Sequence, residues 1–243
     1  DAQLKSLLTL ETPVFVLTDL DIGMNDWMVP ELKWDDNYQP DRGKVLSKEQ
    51  LEKITKFHRF VDSDGDGIAY RTLPGVDPKG AYFTRGSGHN QYGTYTEDSA
   101  EYQVVLDRLL RKFETAKTLV PKPIIHGSGH AIGLVSVGSC DGAVLEAVTI
   151  LKRRGIEVDY MRIRAFPFGP EVDQFLAAHE TNFVIEQNRD AQLKSLLTLE
   201  TPVDKARLRS ILHYAGMPLN AQAVVDGVVA SVPNAGALRV VSA

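Results

Sequence analysis

The chain has 243 residues, 43% of them hydrophobic and 24% charged, and its 27 Lys and Arg against 32 Asp and Glu leave a net charge of -5. That length and apolar share can build one large core or two smaller ones, and the acidic balance excludes a general nucleic-acid binder, which needs cationic excess to displace counterions. The single cysteine, Cys140, excludes an internal disulfide framework and any iron–sulfur cluster held by this chain alone, and it suits a reducing cytoplasm.

No apolar run is long enough for a membrane span, and no basic-then-apolar start marks a secretion signal. The chain opens with "DAQLKSLLTLETPV", and the same fourteen residues return at Asp190–Val203. Both copies predict a helix, with Leu4, Leu7 and Leu8, or Leu193, Leu196 and Leu197, on one face. Pro13 or Pro202 then bars its continuation. One perfect copy with no similarity around it reads as a duplication, not as the period of a repeat fold. With no initiator Met, it points to a truncated or rearranged piece of a longer chain.

Val14–Leu17 is a short apolar run that predicts a buried strand. "TDLDIGMND" follows as a polar turn. Residues 47–61 predict an amphipathic helix, with Ser47 and Gln50 spaced as a capping box. Residues 62–96, rich in Gly, Asp, Pro and Tyr, predict a long ordered loop. Residues 98–119 predict a second helix, and "VPKP" at 120–123 a boundary.

From Ile132 the pattern alternates. Residues 132–138 predict a strand, and Ser139 or Asp141 can cap the helix that follows. That helix turns Val144, Ala147, Val148 and Leu151 inward, and Gly155 ends it. Residues 156–163 predict a second strand, Pro170 opens a second helix, and 183–185 predict a third strand before the helix of the second repeat. Strands alternating with helices imply an α/β fold with a parallel sheet and right-handed crossovers; strand order stays open.

Four motifs bear on chemistry. Asp62, Asp64, Asp66 and Gly67 in "DSDGDG" open like a calcium loop, but Leu73 stands where a bidentate Glu should close it. The alternatives are a calcium module and a hydrogen-bonded acidic turn. "HGSGH" at 126–130 has histidines at a metal-ligand spacing, but Gly127 and Gly129 favour a loop and no general-base Glu accompanies them; it echoes "RGSGH" at 85–89. No metal site is expected from either. "GSCDG" at 138–142 could present helix N–H groups to a phosphate, or be a plain crossover with Cys140 buried. "AYFTRGSGHNQYGTY" at 81–95 combines Arg85, a planar fork suited to a carboxylate, with Gly86, Gly88 and Gly93, which permit close backbone approach. His89 and Thr94 add hydrogen-bonding groups, so this is the candidate anion-binding loop.

Five segments in order, "VFVLTDLDIGMNDWM", "PGVDPKGAYFTRGSGHNQYGTYTED", "YMRIRAFPFG", "VIEQNRDAQLKSLL" and "ILHYAGMPL", make residues 12–230 resemble the C-terminal part of the alpha subunit of 2-oxoglutarate (2-oxoacid):ferredoxin oxidoreductases. The resemblance implies a transketolase C-terminal-like α/β domain over 124–243. Before it would lie a linker region with the glycine-rich substrate loop over 47–123, and a remnant of a thiamine-pyrimidine-type domain, with the duplicated segment, over 1–46. It implies oxidative decarboxylation of a 2-oxoacid such as 2-oxoglutarate to acyl-coenzyme A, with electrons passing to ferredoxin. Thiamine diphosphate would be held mainly by a partner beta subunit, and an iron–sulfur cluster would sit in that partner and not in this chain. Arg85 would grip the substrate carboxylate, with Thr94, Gly86, Gly88 and His89 beside it; no catalytic residue is assigned. "EQN" at 186–188 would end a strand near subunit contacts. Ferredoxin and coenzyme A would be co-substrates of a cytoplasmic complex, and activity of this chain alone is not expected. The alternatives are a catalytically silent α/β interaction domain and the calcium module.

Overall fold

A computed structural model describes residues 9–231. Within them, 9–16 with 32–120 form one compact unit, and 17–31 with 121–231 form another. The helix expected from Leu4, Leu7 and Leu8 lies outside the described residues, apart from its last turn. The elements are helices α1 (Leu20–Gly23), α2 (Lys48–Lys53), α3 (Ser99–Leu119), α4 (Cys140–Arg153), α5 (Pro170–Ala178), α6 (Gln192–Glu200) and α7 (Ala221–Val229), with strands β1 (Ile124–His126), β2 (Ile132–Val137), β3 (Asp159–Ile163), β4 (Thr181–Glu186) and β5 (Leu208–Leu212).

In the first unit the expected capping box forms: Gln50 N donates to Ser47 Oγ at 3.3 Å and Ser47 N to Gln50 Oε1 at 2.8 Å. The helix it opens is shorter than its apolar periodicity predicts. Ile54 turns extended, and Lys79 Nζ takes the carbonyls of Glu52 (2.8 Å) and Ile54 (3.1 Å) in place of further helical bonds. The chain beyond is freed to bury Phe57 edge-on against Tyr82. Helix α3 starts where Asp98 Oδ1 accepts the Ala100 and Glu101 amides at 2.8 and 3.0 Å, satisfying two orphan donors. Leu10, Ile68 and Ala116 make a small core against it.

The strand expected at Val14–Leu17 does not form: Phe15 is 84% and Leu17 90% exposed. An apolar run becomes a strand only where another edge can take its backbone bonds, and none among the described residues does so. The polar turn after it holds the one-turn helix α1, in which Asp19 Oδ1 accepts the Ile22 amide at 2.9 Å.

The second unit is an α/β sandwich around one sheet, ordered β1-β3-β2-β4-β5. Strands β2 to β5 pair in parallel and β1 joins the edge antiparallel. Period-two alternation sends neighbours to opposite faces. Leu134, Tyr160, Phe183 and Ile211 meet α4 and α7, while Val135, Met161, Val184 and Leu208 meet α5 and α6. Helix α4 buries Val144, Ala147 and Leu151 completely, as its 3.6-residue spacing requires. Such a sheet, with both faces covered, accounts for the near-continuous apolar strands. No helix among the described residues is long and apolar enough to cross a membrane.

Candidate functional site

The glycine-rich segment folds back on itself. Arg85 N donates to Gly93 O (3.4 Å), Asn90 N to Thr94 O (2.9 Å), Gly93 N to Asn90 O (2.9 Å) and Thr96 N to Gly88 O (3.4 Å). The Arg85 amide therefore meets the Gly93 carbonyl, Thr94 faces Asn90, and His89 bridges Tyr95, with Gly86 and Gly88 in the same segment. Gly93 sits at φ +79°, where a Cβ would meet Phe83 O at 3.2 Å. The organising residue is Asn90, which sequence reasoning passed over. Its buried Oδ1 accepts the amides of Tyr92 (3.0 Å) and Thr94 (3.2 Å), and its Nδ2 donates to Glu101 Oε2 at 3.2 Å, tying the bend to the first turn of α3. The signal was present: Asn at the first and Gly at the fourth position of a four-residue turn.

The Arg85 guanidinium is exposed, and it lies over the Tyr95 ring, 5.6 Å from its centroid. Among the described residues it has no carboxylate partner, so its charge is available to a ligand. Tyr95 OH is bonded to Glu97, which fixes the ring beneath it. His89 is half-buried, its ring 4.4 Å from Phe60, with Nδ1 at 2.8 Å from Asn90 O. Tyr82, Phe83, Tyr92 and Tyr95 leave large aromatic surface in solvent around the bend.

The acidic turn is brought together as its motif predicts: carboxylate oxygens of Asp62, Asp64 and Asp66 lie within 4.8 Å of one another. Its charge is already used. Lys44 Nζ binds Asp64 at 2.6 Å, Asp66 at 2.7 Å and Ile68 O at 3.0 Å, while Asp62 accepts the Gly65 and Gly67 amides and Arg111 Nε. Burial disfavours the Lys44 charge, but the bonds to Asp64 and Asp66 outweigh it and raise its pKa. An ammonium thus stands where a cation would sit. Millimolar calcium is expected to produce no saturable heat by calorimetry; a saturable response would restore the calcium reading.

At the sheet's carboxyl edge the connections leaving β2 and β4 run to opposite sides, which marks a switch point where α/β proteins place ligands. Ser139 and Gln187 meet there, with Gln187 Nε2 donating to Ser139 Oγ at 2.7 Å. Asp19 Oδ2 accepts from Ser139 Oγ at 2.6 Å and Ser139 N at 3.3 Å. Burial works against that carboxylate's charge, and the Ser139 hydroxyl and the Ile22 and Ser139 amides prevail, holding its pKa low. Asp141 binds Tyr160 OH (2.8 Å) and Arg162 (3.1 Å). Two carboxylates therefore face the start of α4, and the turn does not fit a phosphate or diphosphate group. Burial pushes the Cys140 thiol up to about 11, so it is a structural cysteine and not a nucleophile.

"EQN" ends β4 as expected and is spent on structure. Buried Glu186 accepts the Leu193 (2.6 Å) and Lys194 (3.1 Å) amides at the start of α6, and Asn188 Nδ2 supports it at 2.8 Å. "HGSGH" separates its histidines. His126 stacks on Tyr160, whereas His130 and the amides of 128–130 enclose the Asp159 carboxylate. The echo with 85–89 is thus one of letters: the two segments do different work.

No family model matches the chain. The alpha subunit of 2-oxoacid:ferredoxin oxidoreductase 2 from Aeropyrum pernix is 29% identical over 238 residues, which cover 95% of this chain and 35% of that one. The 2-oxoacid:ferredoxin oxidoreductase alpha subunit of Saccharolobus solfataricus is 24% identical over 238 residues, 95% of this chain and 36% of that one. Among solved structures, a 2-oxoglutarate:ferredoxin oxidoreductase from Magnetococcus marinus shares the fold, with a TM-score of 0.68 at 21% identity over 79% of this chain and 33% of that chain. The chain spans about a third of the length of the curated relatives it matches. Its homologues over nearly its whole length are 2-oxoacid:ferredoxin oxidoreductase alpha subunits.

Proposed function

We propose that the chain forms part of the alpha subunit of a thiamine diphosphate-dependent 2-oxoacid:ferredoxin oxidoreductase and presents Arg85 to the carboxylate of a 2-oxoacid such as 2-oxoglutarate. The observation that carries this reading is the free guanidinium held over Tyr95 on a bend braced by Asn90. Arg85 supplies a charged fork for the carboxylate. Thr94, at the far end of the bend, offers a hydroxyl, and His89 its remaining ring nitrogen. Gly86 and Gly88 let the ligand approach the main chain; a Cβ on Gly86 would meet nothing within 4 Å.

Thiamine diphosphate is assigned to a beta subunit as the resemblance implies, and so is any iron–sulfur cluster; the turn at Gly138–Asp141, with the Asp19 and Asp141 carboxylates beside it, does not fit a diphosphate. This chain's part is to bind and orient one end of the substrate, which lowers the entropy cost of meeting a reacting group supplied by the partner. The exposed aromatics around the bend suit an approach by that partner. Coenzyme A and ferredoxin complete the reaction as acyl and electron acceptors in a cytoplasmic complex.

The test is ferredoxin reduction by the chain with an added beta subunit, using 2-oxoglutarate. Arg85→Ala removes a charge-assisted contact worth about 1.5–3 kcal/mol and is expected to raise KM on the order of 10- to 100-fold. Arg85→Lys should recover only part, because an ammonium cannot make the paired fork. An unchanged KM would reject the role of Arg85. Activity absent with the partner present and folded would favour the silent interaction domain.

A further inference from the structure

In the unit formed by 9–16 and 32–120, two arginines pair with the Glu11 carboxylate, and two more cationic side chains gather beside it. Arg108 and Lys112 are four apart on α3 and share a face; Arg59 and Arg71 reach it from the loops. Arg59 Nη2 donates to Glu11 Oε2 at 2.5 Å, and Arg71 Nε lies 3.5 Å from Glu11 Oε1. Lys112 Nζ donates to Glu11 O at 2.9 Å, Arg71 Nη2 to Arg42 O at 2.5 Å, and Arg108 Nη1 to Gly67 O at 2.9 Å. The nearby carboxylate of Asp62 is committed to Arg111 and to the Gly65 and Gly67 amides.

Positive charge and a buried donor are left over. Arg108 is 8% exposed, and its Nε has no hydrogen-bond partner among the described residues; Arg71 Nε and Glu11 Oε1 face each other at 3.5 Å as an ion pair without a formed hydrogen bond. Burial first, and then the neighbouring Arg108 charge, lowers Lys112 to about 8. Buried like charges of this kind are expensive unless an anion joins them.

Glu11 reaches the cluster in a conformation its sequence does not demand. It sits at φ +51°, a region that side-chain-bearing residues avoid. In the second copy of the identical segment the equivalent Glu200 is the last residue of α6 and exposed, and Leu199, the counterpart of buried Leu10, is 79% exposed. The cluster, and not the local sequence, sets the Glu11 conformation.

We propose that Arg59, Arg71, Arg108 and Lys112 form an oxyanion pocket for a compact dianion, a phosphate group or a dicarboxylate, and that Glu11 fills it as an internal stand-in. The pocket is independent of the Arg85 loop and of the activity proposed above. The test is calorimetric and thermal-shift titration of the whole chain with inorganic phosphate and, separately, succinate, against chloride of matched ionic strength. Wild type should bind neither. Glu11→Ala should bind at least one saturably, and the arm that saturates identifies the source. Adding Arg59→Ala and Arg71→Ala should weaken that binding by at least about tenfold. A folded Glu11→Ala chain that binds neither anion overturns the proposal, as does binding that survives loss of both arginines. If Glu11→Ala is unfolded in chloride, recovery of its fold by phosphate or succinate supports the pocket; a chain that stays unfolded in both overturns it.

Discussion

Gly67→Ala is expected to destabilise the unit around α3 by about 3–5 kcal/mol, whereas Gly65→Ala, two residues away, should cost only about 1 kcal/mol. Both glycines have φ +82°, so both substitutions meet the same left-handed penalty. They differ in what a methyl group would touch. At Gly65 nothing lies within 4 Å. At Gly67 a Cβ would fall 2.3 Å from Lys112 N, 2.7 Å from Lys112 Cα and 2.8 Å from Arg108 O, all backbone atoms of α3. Rotamer changes cannot relieve such contacts, so the loop must lift off the helix. Lifting it strains the bonds from Arg108 to Gly67 O and from Thr115 to Asp66 O, at 2.9 and 2.6 Å. Hydrogen-exchange protection of the α3 amides, read for both variants, measures the effect where it arises. Equal losses at the two positions would refute the close-approach argument.

The same loop shows how far the sequence could be read. The acidic motif was visible as letters, but Lys44, which neutralises it, lies 18 residues before Asp62, and nothing local announces that pairing. The α/β half was legible because each residue answered to one surface. The run at β2 is apolar throughout because its sheet is covered on both faces, and Val144, Ala147 and Leu151 repeat at helical spacing because α4 has one core-facing stripe. Strand β1 escaped notice: three residues between a proline and a glycine carry too little pattern, and only the edge of β3 makes them a strand. Val14–Leu17 failed in the opposite sense. Its apolarity states a need for burial without stating a partner, and Phe15 and Leu17 stay exposed. Helix α2 was drawn too long because Leu51, Ile54 and Phe57 keep a helical spacing while Lys79, distant in sequence, takes the carbonyls at its end. In the candidate site, Arg85 and the glycines were readable as residue types. Asn90 was readable only as the start of a turn closed by Gly93; that its side chain also satisfies the Tyr92 and Thr94 amides and reaches Glu101 is a matter of the bend's shape.

Asp159→Ala should be at least as damaging to the other unit, at about 3–5 kcal/mol near neutral pH. The side chain is 5% exposed and accepts from the amides of Ser128 (3.1 Å), Gly129 (2.9 Å) and His130 (3.2 Å), from His130 Nδ1 (2.5 Å) and from His179 Nε2 (3.2 Å). Removing it takes the carboxylate partner from the buried His179 imidazole and from three loop amides. Burial raises the carboxyl pKa, but those donors outweigh it and bring it from 3.8 down to about 2. The sign follows from linkage. A carboxyl depressed on folding adds stability that is fully present above its unfolded pKa, near 4, and is lost as pH falls through about 2. The charged form therefore contributes about 3 kcal/mol at neutral pH, from a shift of roughly two units at about 1.4 kcal/mol each. Urea unfolding of wild type and Asp159→Ala at pH 6 and at pH 2 separates this part from packing: the gap between them should narrow by about 1–2 kcal/mol at the lower pH. A gap of the same size at both pH values would mean that the loop is held by shape alone and that the Asp159 charge contributes nothing to it.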